Sequence, residues 1–184
     1  MQHIAKGDLS LLKNWNTKLP NTAPMPVMFL GHGSPMNAIE DNEFTREWNR
    51  IAASLETAPI AILCISAHWL TPGSTQVTAM QQPKTIHDFG GFPQALFDMQ
   101  YPAEGNQDLV NEAVNAIQSI HVEHNHDWGL DHGTWAVLCH VFAEANIPVV
   151  QLSIDYSQPA QYHYDLAKQL SKLRRKGVLI VASG

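Results

Sequence analysis

The chain has 184 residues, 45% hydrophobic and 15% charged, with a formal net charge of −6 when histidine is neutral. This excludes a disordered or collagen-like chain, offers no basic stripe for nucleic acid, and leaves no apolar run near the roughly 20 residues a bilayer span needs. The length favours one domain, and the N-terminus lacks a charged segment followed by an apolar one, so a soluble cytoplasmic protein is expected.

Residues 1–24 read as an N-terminal extension, with Asn14, Asn16, Pro20, Asn21 and Pro24 opposing a long helix and Ser10–Trp15 allowing one short turn. Met25–Leu30 is an apolar run that stops at Gly31-His32-Gly33-Ser34-Pro35, as a buried strand followed by a tight loop would. Asp41 or Asn42 can cap a helix through Leu55, where Phe44, Trp48, Ile51, Ala52 and Leu55 recur at helical spacing. Pro59–Ser66 is a second apolar run, buried on both faces as in a parallel sheet, and it ends at Ala67-His68-Trp69. A short strand is predicted at Gln76–Met80, then a long Pro/Gly-punctuated loop whose aromatic residues argue for a functional role.

Gln107–Ile120 has the period of an amphipathic helix, and a His-rich segment from His121 to His132 leads into a buried helix over Thr134–Ala145. Ile147–Ile154 reads as a strand, Pro159–Arg175 as a helix ended by Gly177, and Val178–Ala182 as a last strand. Alternating strands and helices imply an α/β fold with a mostly parallel central sheet flanked by helices. The sequence stops at Ala182-Ser183-Gly184, where a functional loop would begin in such a sheet, so the catalytic α/β domain at 25–184 is expected to be incomplete at its C-terminus.

Ligands of open α/β sheets bind at the C-terminal ends of strands, and His32 and His68 both occupy that position. Neutral imidazole binds divalent zinc or iron well, so the pair reads as two ligands of one ion, against the simpler reading of two loop hydrogen bonds. His132, in Asp131-His132-Gly133-Thr134-Trp135, reads as a third ligand, an acid–base group or a helix cap. Asp131 either orients it or serves the helix N-terminus. His121, His124 and His126 look like a metal tract, but their loose spacing and polar context favour solvated surface; His126 lies closest to Asp131-His132. His87, beside Asp88, leans structural, while Cys64 and Cys139 sit in apolar runs as small core residues. There is no nucleophile elbow, dinucleotide fingerprint, P-loop or H-E-x-x-H.

Five motifs occur in order: Gly31-His32-Gly33-Ser34-Pro35, Ser66-Ala67-His68-Trp69, Asp88-Phe89-Gly90-Gly91-Phe92-Pro93, Gly129-Leu130-Asp131-His132-Gly133-Thr134-Trp135 and Pro148-Val149-Val150-Gln151-Leu152-Ser153-Ile154-Asp155. Together they closely resemble the class III extradiol ring-cleavage dioxygenases, in particular the 4,5-DOPA dioxygenase extradiol-like group, from about Pro26 to Gly184. The resemblance implies the α/β fold of the extradiol dioxygenases and a single-metal enzyme that opens a catechol ring beside its two hydroxyls with O₂. It puts His32 and His68 on the first two metal ligands and His132 on the catalytic histidine. Ser34, Trp69, Phe92, His126 and Trp135 fall on the substrate side. It implies one divalent ion, Fe²⁺ for activity or Zn²⁺ as found bound. Family members run well past this length, to a further histidine and a further ligand. The partners expected are a small catechol and O₂, with no nucleic acid and no membrane, and exposed sheet surface would favour a homo-oligomer. A metal-dependent hydrolase on a similar sheet and a truncated, non-catalytic metal-binding remnant are the competing readings.

Overall fold

The structure, a computed structural model, describes residues 19–184. Most of the 1–24 extension, including the short turn expected at Ser10–Trp15, lies outside the described residues. The α-helices are α1 (Glu43–Ala53), α2 (Gln94–Phe97), α3 (Gln107–Ala116), α4 (His132–Val141) and α5 (Ala160–Leu170), with 3-10 turns at Pro35–Ala38 and Ser171–Lys176. The strands are β1 (Val27–Leu30), β2 (Ala61–Thr71), β3 (Thr75–Thr78), β4 (Val122–Asn125), β5 (Val149–Asp155) and β6 (Val178–Ser183). These strands form one six-stranded sheet in the order β1-β6-β2-β5-β3-β4.

The pairs β1–β6, β6–β2, β2–β5 and β3–β4 are parallel, and β3 meets β5 antiparallel at Val77↔Leu152. The exception follows from chain length. A parallel return needs a crossover of a dozen or more residues, and the short turn between Thr71 and Thr75 can only reverse the chain.

Period-two alternation divides the core. Ile62, Cys64, Leu179 and Val181 face one layer with Trp48 of α1 and Trp135 and Leu138 of α4. Ala61, Leu63, Val178 and Ile180 face the other with Leu109 and Ala113 of α3 and Leu166 and Leu170 of α5. Ala61–Cys64 are 0% exposed, as expected of a strand covered on both faces.

Local signals set the helix ends. Asn42, not Asp41, caps α1: its side chain accepts from Phe44 and Thr45 N–H, and the Thr45 hydroxyl closes a capping box. Asp131 accepts from Thr134 N–H, so α4 starts at His132, two residues earlier than the sequence suggested. The helix expected over Pro159–Arg175 tightens to 3-10 geometry after Leu170, and Gly177, at φ 70°, ends it in a left-handed turn. Among the described residues no helix is long and apolar enough to cross a membrane.

Candidate metal centre

The site forms where β1, β2 and α4 converge. His32 follows β1, its amide donating to Gly184 O (3.0 Å), and Gly33 at φ 60° turns the chain away at once. The His32 carbonyl accepts from Asn37 Nδ2 (2.9 Å), and its Nδ1 meets Ser183 Oγ at 2.8 Å. His68 lies on the outer part of β2. His132 is the first residue of α4, and its amide and Nδ1 both donate to Asp88 Oδ1 at 2.9 Å. The other carboxylate oxygen, Asp88 Oδ2, is 3.5 Å from His68 Nδ1.

With every Nδ1 turned to an outer partner, the Nε2 atoms are left for the centre. His32 Nε2 and His68 Nε2 lie 2.9 Å apart. The His68 and His132 ring centroids are 3.9 Å apart, and those of His32 and His132 5.5 Å. One nitrogen from each ring falls within 4.8 Å of the others, the group close enough to hold one ion among the described residues. Nitrogens bound about 2.1 Å from one ion stand about 3.0 Å apart at the right angle of a facial site and about 3.4 Å apart at the tetrahedral angle. The His32–His68 separation therefore fits a shared ion, and the outer hydrogen bonds are those that orient metal-binding imidazoles.

Electrostatics favour the ligand-competent neutral rings. Burial, then the neighbouring His68 and His132, lowers the His32 pKa to about 4, against an upward pull from Asp88. Burial and His132 likewise lower that of His68. For Asp88 burial pushes upward, but the hydrogen bonds from His132 outweigh it and hold the carboxyl below its ordinary value. The result is a fixed negative charge behind two of the three rings.

The other expected substrate-side residues are spread more widely. Phe92 packs edge-on against Phe89 (centroids 5.3 Å), and Phe89 meets the His132 ring at 5.5 Å. Trp69 is 3% exposed and stacks flat on Trp128. Trp135 is fully buried, its indole N–H donating to Ile86 O, and it supports His87 and Phe89 from behind. Ser34 is exposed and caps the Pro35–Ala38 turn. His126 is exposed in the loop after β4, with His124 on β4 itself; neither belongs to the imidazole group. His87 Nε2 donates to Met99 O at 3.0 Å. Cys64 and Cys139 are free thiols.

Sequence reasoning missed Asp88, Phe89 and Ser183 as site residues. Asp88 and Phe89 stand inside one of the five motifs, but nothing local marks them beyond their place beside His87. Ser183 gave no signal, because its partner is 151 residues away.

A mostly parallel α/β sheet gathers three imidazoles at one edge, one following β1, one on the outer part of β2 and one opening α4, in a group that could hold a metal ion. The chain belongs to the LigB family: residues 23–184 match the family described as the catalytic LigB subunit of aromatic ring-opening dioxygenase. A 4,5-DOPA dioxygenase extradiol of Escherichia coli (strain K12) is 52% identical over 161 residues, 87% of this chain and 59% of that protein. A 4,5-DOPA dioxygenase extradiol of Beta vulgaris is 38% identical over 86% of this chain and 60% of its own length. The crystal structure of an uncharacterized protein from Escherichia coli K12 superposes with a TM-score of 0.72 at 43% identity, covering 87% of this chain and 59% of that one. The chain thus spans 59–60% of the length of these curated relatives.

Proposed function

We propose that the protein acts in extradiol cleavage of a catechol such as DOPA, with both atoms of O₂ entering a ring-opened semialdehyde. The observation that carries this reading is the imidazole group, with His32 and His68 Nε2 at 2.9 Å and His132 beside them. Fe²⁺ is the ion proposed for activity. When bound it would bring catechol and O₂ together and favour loss of a catechol proton. Zn²⁺ would suit the same nitrogens but has no redox chemistry to offer O₂.

His32 and His68 hold the ion in this reading, and His132 moves protons. Asp88 accepts the His132 Nδ1 proton in a hydrogen bond, fixes the ring's orientation, and stabilises the imidazolium formed when Nε2 takes a proton from the catechol. Phe89 and Phe92 supply an aromatic wall beside His132, and Trp69, next to His68, a rigid edge.

The test loads the protein anaerobically with Fe²⁺, adds DOPA and then air. The expected result is O₂ uptake matched by a ring-opened chromophore, lost in His32→Ala and His68→Ala. Stoichiometric Fe²⁺ with no O₂ uptake would overturn the reading, and turnover of an ester or amide without O₂ would favour the hydrolase.

A further inference from the structure

His68 lies on a stretch of β2 that the sheet does not hold. Pairing with β6 ends at Ser66↔Ser183, and pairing with β5 is broken between Ile65 and Leu70. The ladder that fixes Ala61–Ile65 therefore does not fix residues 67–69. The His68 amide turns instead to Ser66 Oγ, at 3.1 Å. The buried Ser66 hydroxyl sits beside the Asp131 carboxylate, close enough that a Cβ placed on Gly133 would touch both Ser66 Oγ and Asp131 Oδ1, and this neighbour helps to hold the Asp131 pKa down against burial.

Asp131 is 0% exposed, as are Ser66, Thr134 and Gln151 around it. Its Oδ1 accepts from Thr134 N–H at 3.2 Å, capping the helix that begins with His132, and its Oδ2 accepts a close hydrogen bond from Gln151 Nε2. Gln151 Oε1 accepts from the Thr134 hydroxyl at 3.0 Å. A single buried carboxylate therefore joins the loose end of β2, the first turn of α4 and the floor of β5. The two elements it ties together carry His68 and His132.

We infer that Asp131 is a positioning residue for the imidazole centre, setting His68 against His132 through Ser66 and the α4 cap. It touches neither ring as a ligand. A helix cap alone would need no link to β2, and a core hydrogen bond alone would not terminate on the amide of the one residue in the irregular stretch that faces the centre. The affinity arm of the test rests on the proposed metal site; the ring-resonance arm does not.

Ser66→Ala cuts the link to His68 and leaves the α4 cap in place. Asp131→Asn sets an amide donor against the Gln151 amide donor. The double variant Asp131→Asn/Gln151→Glu exchanges the two groups and restores the donor–acceptor match between positions 131 and 151. In metal-free protein labelled with ¹⁵N-histidine, both single variants are expected to shift the His68 ring resonances well beyond those of His163, a remote imidazole that serves as internal control. Zn²⁺ affinity, read by competition with a chromophoric chelator, is expected to fall by about 10–100-fold in the single variants and to recover within about threefold in the double one.

Folded Ser66→Ala and Asp131→Asn proteins with an unmoved His68 ring would overturn the inference, whatever their melting temperatures. So would Zn²⁺ affinity unchanged from a wild type that binds it. A wild type that binds no Zn²⁺ would sink the metal reading, while the ring resonances would still decide the role of Asp131.

Discussion

The Nε2 atoms of His32 and His68 face each other at 2.9 Å across two strands that are not neighbours in the sheet, since β6 lies between β1 and β2. Two neutral rings whose Nδ1 atoms donate outward would set lone pair against lone pair at this distance. Such a contact is relieved by a shared proton, by a shared cation, or by the tautomer in which the Ser183 hydroxyl donates to His32 Nδ1 and His32 Nε2 donates to His68 Nε2. Burial opposes the added proton, holding the His32 pKa near 4, so at neutral pH the rings are uncharged and their nitrogens can serve a cation.

One divalent ion per chain is therefore expected to bind and to stabilise the fold. At a free ion concentration a hundred times the dissociation constant the gain is about 2.7 kcal/mol. For a domain of this size each kcal/mol is worth about 2–4 °C in Tm, so Zn²⁺ should raise Tm by about 5–11 °C. Calorimetry with and without chelator measures it. His32→Ala and His68→Ala should each abolish the rise, and a wild-type Tm indifferent to Zn²⁺, Fe²⁺ and chelator would exclude the centre.

Asp88 should matter more through its charge than through its shape. In Asp88→Asn the amide oxygen can still accept from the His132 amide and Nδ1, both 2.9 Å from Asp88 Oδ1 in the native protein, so the fold should survive with little change in Tm. The lost negative charge no longer stabilises an imidazolium at 132. Turnover of Fe²⁺-loaded protein should drop by about 10–100-fold, the usual cost of an outer partner, with KM for catechol changed far less than kcat. Equal losses in Asp88→Asn and Asp88→Ala, each matched by a fallen Tm, would mean that Asp88 only holds the loop.

How far the site was legible depended on how local its signals were. His32 and His68 stood out because each follows an apolar run of strand length, and parallel strands present their C-terminal ends to a common edge. The expected burial held for β2 but not for β1, an edge strand on which Val27 and Phe29 are exposed. β4 was hidden. Of its four residues only Val122 is buried, and His124 beside it belongs to a run that mimics a metal tract. Asp88 was hidden for another reason. It sits in a loop without periodicity, and its partner His132 is 44 residues further on. The outer partners of all three rings come from distant segments, a contact that no window along the chain can see.

Away from the site, Asp155 should govern part of the acid stability. Asp155 is a buried residue whose carboxylate accepts from Gly73 N–H (2.9 Å), Ser157 N–H (3.0 Å) and the Ser157 hydroxyl (2.6 Å). The Ser157 hydroxyl outweighs burial and lowers the pKa below its ordinary 3.8. A carboxyl that is more acidic folded than unfolded stabilises the fold above its unfolded pKa, and that stabilisation is lost as pH falls through the folded one. Asp155→Asn should therefore melt below wild type at neutral pH, with the gap closing under about pH 4. Melting curves across that range measure it, and a gap that stays constant would assign the effect to packing instead of charge.

Gly133 sets two opposed effects against each other in the first turn of α4. Alanine is the better helix former, by at most about 1 kcal/mol. A Cβ at 133, however, would stand 2.9 Å from His68 Cδ2 and closer still to Ser66 Oγ. Neither neighbour is a free side-chain end: Ser66 is fully buried and its hydroxyl holds the His68 amide, and the His68 ring is fixed between His32 and Asp88. Overpacking a filled site costs about 1–3 kcal/mol, so the clash should outweigh the propensity. Gly133→Ala should lower Tm and displace the His68 ring from His132, against which it now lies at 3.9 Å between centroids. The His68 ring resonances and Zn²⁺ affinity of the folded variant measure the displacement. A Tm above wild type with unchanged affinity would mean that the first turn yields, and that Gly133 sets nothing at the centre.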